Sequence, residues 1–225
     1  MKYLLTVFCL MAVLSLSAQE TETRSLDRFD EISVAQGIEL IAEKGSDNSI
    51  SLEVSRIDME DVITEVRGGK LYVKLSRGNH RSNRVRATLT YTDELKDINV
   101  STGAEAEFKT KIKVDDLEVT TSTSGFVKLS VEAKTVEMDA TTSGRIRIEG
   151  SSEEVDLTAT TGGSIDAFDL SANDAYARAN TGADIRLNAE ERLRASAGTG
   201  GSVRYTGKPR TDVRTNTGGS VRRGG

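Results

Sequence analysis

From Ile98 to Val221 the chain alternates small or apolar residues with polar ones, and the alternation is phased to a recurring tripeptide. The tripeptide is Thr, then Gly or Ser, then Gly or Ala. It occurs seven times, as Thr102-Gly103-Ala104, Thr123-Ser124-Gly125, Thr142-Ser143-Gly144, Thr161-Gly162-Gly163, Thr181-Gly182-Ala183, Thr199-Gly200-Gly201 and Thr217-Gly218-Gly219. Successive last residues lie 21, 19, 19, 20, 18 and 18 positions apart. Two positions after them stand Ala106, Val127, Ile146, Ile165, Ile185, Val203 and Val221. Four and six positions before, the residues are again small or apolar, from Val100 and Ile98 through Ala140 and Met138 to Thr215 and Val213. A period of two is the strand period, and even offsets share one face.

Each unit therefore reads as strand, tight turn, strand, and no unit can bury its apolar face without its neighbours. The predicted fold is all-β: a solenoid of about seven C-terminal rungs of 18–21 residues over 94–225, with a β-rich N-terminal head over 27–93. At ~4.8 Å per rung the stack is roughly 30 Å long. Glycine is expected to supply positive φ or close backbone approach at each corner. The seven Thr are expected to point inward where the walls converge, with their hydroxyls bonded to a neighbouring rung or a turn amide. In the head, alternation at Ile32-Val34, Ile38-Leu40, Ile50-Leu52-Val54 and Val85-Ala87-Leu89-Tyr91 predicts strands. Gly68-Gly69 between two apolar runs predicts a hairpin. Residues 19–26 are polar and are expected to form a flexible leader.

The N-terminus changes the compartment. Lys2, the apolar run Leu4 to Leu14 and the ending Ser15-Leu16-Ser17-Ala18 predict a signal peptide over 1–18. Cleavage falls after Ala18 or Ser17. Cys9 leaves with it, and no cysteine remains for disulfides, thiol nucleophiles or thiolate metal sites. The export predicted here leaves the cell surface, the medium and the periplasm open, and no later stretch is apolar enough to span a membrane.

Charge is unevenly placed. Residues 192–225 hold eight Arg or Lys against one Asp, a net of +7, which leaves −13 on residues 19–191. Such asymmetry orients a protein against an anionic surface, or simply keeps a terminal edge soluble. One outward column, three positions after each turn, reads Lys128, Arg147, Asp166, Arg186, Arg204 and Arg222. Five of its six members are basic. As a ligand site this ladder of forked donors suits sulfates, phosphates or uronates along a polysaccharide, and as bare edge charge it blocks aggregation. Both readings stand.

Catalytic chemistry finds little support. His80 is the only histidine and sits in the polar loop Ser76–Asn83, so no multi-His metal site or Cys-His pair can form within the chain. Glu118, Glu137 and Asp156 share an outward column seven positions before each turn, which ends at Tyr176 and Arg194. Stacked carboxylates of this kind could bind a hydrated cation or act as acid and base, as in polysaccharide-cleaving solenoids, or form a solvated patch. No cofactor is implied. An acidic exported chain with few aromatics is not expected to bind nucleic acid, and Asp139, Arg178 and Arg214 interrupt the outward Thr and Ser residues that an ice-matching face would need.

Phe29-Asp30-Glu31-Ile32-Ser33-Val34, Gly37-Ile38-Glu39, Gly69-Lys70-Leu71-Tyr72-Val73 and the glycine turns resemble the head-GIN-domain family, envelope proteins found mainly in Bacteroidetes. The resemblance covers residues 28–222, with Glu39 where the family has Asn. It implies a right-handed parallel β-helix-like solenoid with tight turns joining two sheets, no established catalytic residues and a role in adhesion. Its partner would be a surface protein or an anionic polysaccharide. A periplasmic scaffold without an external ligand is the alternative, a carbohydrate-active enzyme the third, and pairing of copies through the solenoid edge is left open.

Overall fold

The computed structural model describes residues 20–78 and 84–224. The expected signal peptide and His80 lie outside these residues. In chain order the strands are β1 (Glu20–Ser25), β2 (Glu31–Val34), β3 (Glu39–Lys44), β4 (Ser49–Ser55), β5 (Val62–Arg67), β6 (Lys70–Leu75) and β7 (Arg84–Tyr91). They continue as β8 (Asp97–Ser101), β9 (Glu105–Phe108), β10 (Ile112–Ser122), β11 (Phe126–Ala140), β12 (Arg145–Ala159), β13 (Ser164–Asn180) and β14 (Asp184–Gly198). The chain finishes with β15 (Ser202–Thr206), β16 (Arg210–Thr215) and β17 (Ser220–Arg223). One 3₁₀ turn, Met59–Asp61, precedes β5.

All of these strands join in one sheet that folds over into two walls. Wall A runs β5, β6, β2, β8, the second halves of β10 to β14, then β16. Wall B runs β1, β4, β7, β3, β9, the first halves of β11 to β14, then β15 and β17. The repeat columns fall into register as the sequence predicts. Val127, Ile146, Ile165, Ile185, Val203 and Val221 stack through parallel pairs, as do Val119, Met138, Leu157, Ala177, Ala195 and Val213. Toward the C-terminus wall A narrows to Ala at Ala177, Ala179, Ala195 and Ala197, while wall B keeps Ile165, Ile185 and Leu187, all buried. Small side chains on one wall facing large ones on the other hold close packing at a fixed spacing.

The turns share three features, of which the first departs from expectation. First, Thr itself takes the left-handed conformation, with φ between 42° and 54° at all seven positions, and its side chain is exposed instead of inward. Second, the middle residue follows it into positive φ, near 71° to 76° for glycine and 63° for Ser124 and Ser143. Third, the last residue is buried against the previous coil, so that a Cβ on Gly163 would lie 2.0 Å from the Ala140 carbonyl oxygen. Close approach, rather than φ, selects glycine there. Each middle amide donates to the Thr carbonyl of the next turn, as from Gly103 to Thr123, Ser124 to Thr142 and Gly182 to Thr199, at 2.9 to 3.0 Å.

The head continues the stack directly. Gln36-Gly37-Ile38 forms an eighth turn of the same build, with φ of 64° and 72° at its first two residues. Its Gly37 amide donates to the Thr102 carbonyl at 3.0 Å. β2 and β3 thus pair directly with β8 and β9, and the expected boundary at residues 93–94 interrupts no pairing. The expected flexible leader is a strand: β1 pairs antiparallel with β4 along its whole length. Glu20, Glu22 and Arg24 of β1 stand opposite the buried Val54, Leu52 and Ile50, so charges occupy the inward column at this end. The Arg24 guanidinium crosses between the walls to donate to the Val62 carbonyl at 2.6 Å and the Met59 carbonyl at 3.2 Å.

Two substitutions separate the two roles within a turn. Gly163→Ala should destabilise by about 1–3 kcal/mol because backbone must shift to admit the Cβ. Ser143→Gly should stabilise by up to about 1 kcal/mol by relieving left-handed strain. Thermal and urea midpoints check both, and equal or reversed effects would contradict this division of labour.

Candidate functional site

The outer face of wall B carries the basic column in register: Lys128 pairs with Arg147, Arg147 with Asp166, Asp166 with Arg186, Arg186 with Arg204 and Arg204 with Arg222. Parallel pairing without slip between these positions turns a sequence period into a row of cations spaced ~4.8 Å apart. The row is partly neutralised. Lys128 Nζ lies 2.8 Å from Glu107, which also binds Lys109 at 2.6 Å. Those two ammonium groups, Lys109 foremost, hold the Glu107 carboxyl below the usual range. Arg186 binds Asp166 at 3.1 Å and packs 4.4 Å from the ring centroid of Phe168. Arg204 is 3.8 Å from Asp184. Arg147 and Arg222 have no ion pair among the described residues.

Phe168 reaches this position because β13 bulges. Asp166 pairs with Arg147 but Asp169 pairs with Glu149, and Ala167 and Ser171 face adjacent residues of β14. The extra residues accommodate the ring beside Arg186. Toward the head the row continues into Glu107 and Ile41, where a groove of about 450 Å³ opens on β7, β3, β9 and β11. Ile41 is 44% exposed on its floor and Phe126 lines one side, while the Arg86–Glu39 pair at 2.9 Å forms part of the rim. Sequence reasoning passes over Ile41 because it assigns the strand by Leu40 and its inward neighbours. An apolar residue at an outward offset is the signal that would have found it.

Wall A carries a second basic group that the sequence reading treats only as interruptions. Arg178, Arg194 and Arg214 gather with Tyr176 and Asp212 around a depression of about 410 Å³. Arg194 lies 5.4 Å from the Tyr176 ring centroid and 3.6 Å from Asp212. Arg178 binds Asp156 at 3.2 Å. Both walls therefore become cationic toward the C-terminal coils.

The acidic column extends further than the three residues seen in the sequence. Glu31, Asp97, Glu118, Glu137 and Asp156 pair in succession on wall A, because β2 and β8 belong to the stack. Lys70 closes its head end, 2.7 Å from Asp97 and 3.2 Å from Glu31. Burial, followed by Asp97, Glu137 and Asp139, raises the Glu118 carboxyl above the ordinary range. Burial, followed by Glu137 and Asp156, raises Asp139 likewise. Among the described residues no three His, Cys, Asp or Glu side chains converge on a cation position.

A carboxyl raised in the folded state costs stability above its folded pKa, and the cost disappears below its unfolded pKa. Asp139→Asn should therefore raise the melting temperature at neutral pH, with the gain fading as pH falls through the carboxylate range. Melting curves from about pH 7 to about pH 3 test this. A gain that persists at the acid end would mean that packing, not charge, is responsible.

Residues 28–209 match the family model described as putative auto-transporter adhesin, head GIN domain. Among solved structures, a putative adhesin from Bacteroides fragilis superposes with a TM-score of 0.81 at 18% identity, covering 92% of this chain and 96% of that one. A putative adhesin from Parabacteroides merdae gives 0.77 at 18% identity, covering 92% and 96%. A putative lipid binding protein from Parabacteroides distasonis gives 0.72 at 19% identity, covering 92% and 97%. No curated protein matches. These structures share the fold from end to end, and the family model spans most of the sequence: the chain belongs to the head GIN domain family of putative auto-transporter adhesins.

Proposed function

We propose that the protein is an exported, non-enzymatic binding module that holds an anionic glycan of a cell surface along the outer face of wall B. The observation that carries this reading is the in-register column Lys128, Arg147, Arg186, Arg204 and Arg222, with Arg147 and Arg222 unpaired by carboxylates among the described residues. From Lys128 to Arg222 the row spans roughly 24 Å at strand spacing. An extended polyanion can follow such a row with one charge-assisted contact per coil, and the planar Arg fork suits sulfate or carboxylate. A protein partner is the second reading. Exposed Ile41 beside Phe126 in the adjoining groove supports it, since an apolar centre with a charged rim is the usual anatomy of a protein interface.

Location and ligand are tested separately. Protease shaving of intact cells should release peptides from residues 100–222 while a periplasmic control stays intact. Protection of those peptides would favour a periplasmic scaffold and remove the adhesive role. On immobilised sulfated or uronate polysaccharide, the triple variant Arg147→Glu, Arg204→Glu, Arg222→Glu should lose retention at moderate salt. Asp166→Asn, which frees Arg186, should elute later than the parent. Unchanged elution of both variants rules out the ladder, and retained binding lost only on Ile41→Asp would transfer recognition to the groove.

A further inference from the structure

The two ends of the stack are built differently and oppositely charged. At the head end the outermost strands are β1 on wall B and β5 on wall A. At the tail end they are β17 on wall B and β16 on wall A. All six residues of β16 are exposed. Its inward column, Thr211, Val213 and Thr215, covers Leu193, Ala195 and Ala197 and is covered by none of the described residues, leaving Val213 43% exposed. No strand, helix or loop of the described residues caps this edge. Such an uncapped edge presents a row of unpaired backbone donors and acceptors, a template for another strand.

Charge selects the occupant. The elements at the head end, residues 20–25 and 46–67, hold eight acidic and three basic residues, a net of −5. The last coil, residues 202–223, holds six basic and one acidic residue, a net of +5. Tail against tail would place like charges together, whereas head against tail places opposite ones together. The strands also match in direction. β1 is antiparallel to β4, and β4 to β7, so β1 runs with β7 and the parallel strands of wall B, β17 among them. β5 is antiparallel to β6 and so opposes wall A, including β16. A copy stacked on the tail would offer β1 to β17 as a parallel pair over the four residues of β17, while β5, one strand short of β1 at the head end, would stand antiparallel opposite β16. Val66 of β5 continues the inward column to which Val213 belongs, so the apolar positions of the two edges fall in line.

We propose that the tail edge docks the head end of a second copy of this chain, so that solenoids continue one another end to end. The contact is heterologous and does not close on itself, so it extends into filaments or short linear stacks. It stands apart from the glycan reading, since the edges lie at the ends of the rod and the ladder along its side.

Residues 19–225 hold no cysteine, which allows a directed test on that segment. One preparation carries Val213→Cys at the tail and another Val66→Cys at the head, each able to react once with a short bismaleimide. Mixed at low salt, head-to-tail products should dominate, and sedimentation of the unsubstituted protein should show concentration-dependent linear growth that salt weakens. Val213→Lys should cut that association about tenfold by placing a charge on the apolar edge. Two results overturn the proposal: tail-to-tail products in excess, or a monomer at low salt up to the solubility limit. Glycan retention by the monomeric Val213→Lys protein distinguishes this failure from failure of the side-face reading.

Discussion

Everything in this molecule hangs on a turn that brings one coil into contact with the next. Two successive residues take left-handed backbone, the amide of the second donates to the carbonyl of the following turn, and the third residue is pressed against the preceding coil. That geometry fixes the height between coils at the corner, and the parallel ladders of both walls carry it around. A β-branched residue in the left-handed region is a costly choice, and nothing in the structure explains why Thr stands there in seven turns. What the structure does show is compensation. The turn is over-determined by a hydrogen bond from each side, so local strain is held by neighbours that share it.

The same turn explains what was legible in the sequence. Small residues at the third position and apolar ones two positions later recur because contact with the previous coil demands them, and this recurrence reveals period, register and the inward columns. The turn at Gln36 escapes the pattern because Gln replaces Thr and Ile38 replaces Gly or Ala, yet Ile32, Val34 and Leu40 occupy the expected offsets. Its pairing with a coil more than 60 residues later is a non-local choice that no local signal announces. β1 is hidden for a different reason. Glu20, Glu22 and Arg24 are polar because they end the stack, so a strand whose function is to be an edge reads as unstructured. The orientation of Thr is lost because alternation predicts inward placement, and only the consecutive left-handed residues turn its side chain out.

Candidate site residues follow the same division. Their alignment is a consequence of the repeat and can be read from spacing, as with Arg186, Arg204 and Arg222. Their electrostatic condition depends on direct cross-strand neighbours and on diagonal ones such as Asp184 beside Arg204. Asp166 meets Arg186 by direct cross-strand pairing, Phe168 stands beside it at the bulge in β13, and Glu107 reaches Lys128 because β9 lies beside β11. The acidic row of wall A is likewise longer than its repeat suggests, since β2 and β8 contribute Glu31 and Asp97 from outside the phased region.

A filled interior also dictates what kind of recognition the fold can offer. The inward columns are packed with Ile, Val, Leu and Ala, and that face has no room for a small molecule. Contacts must therefore lie on the outer walls or at the ends. A wall repeats one side chain per coil, and contacts repeated at constant spacing favour partners that are themselves repetitive, with weak individual interactions added along a line. An end presents backbone edges and favours a partner that supplies strands. Segregation of charge, acidic toward the head and basic toward the tail, acts on both. It strengthens the wall B row where its guanidinium groups are least neutralised, and it gives the two ends opposite signs. One gradient of composition along the stack thus sets both the most cationic stretch of the side and the opposite signs of the ends.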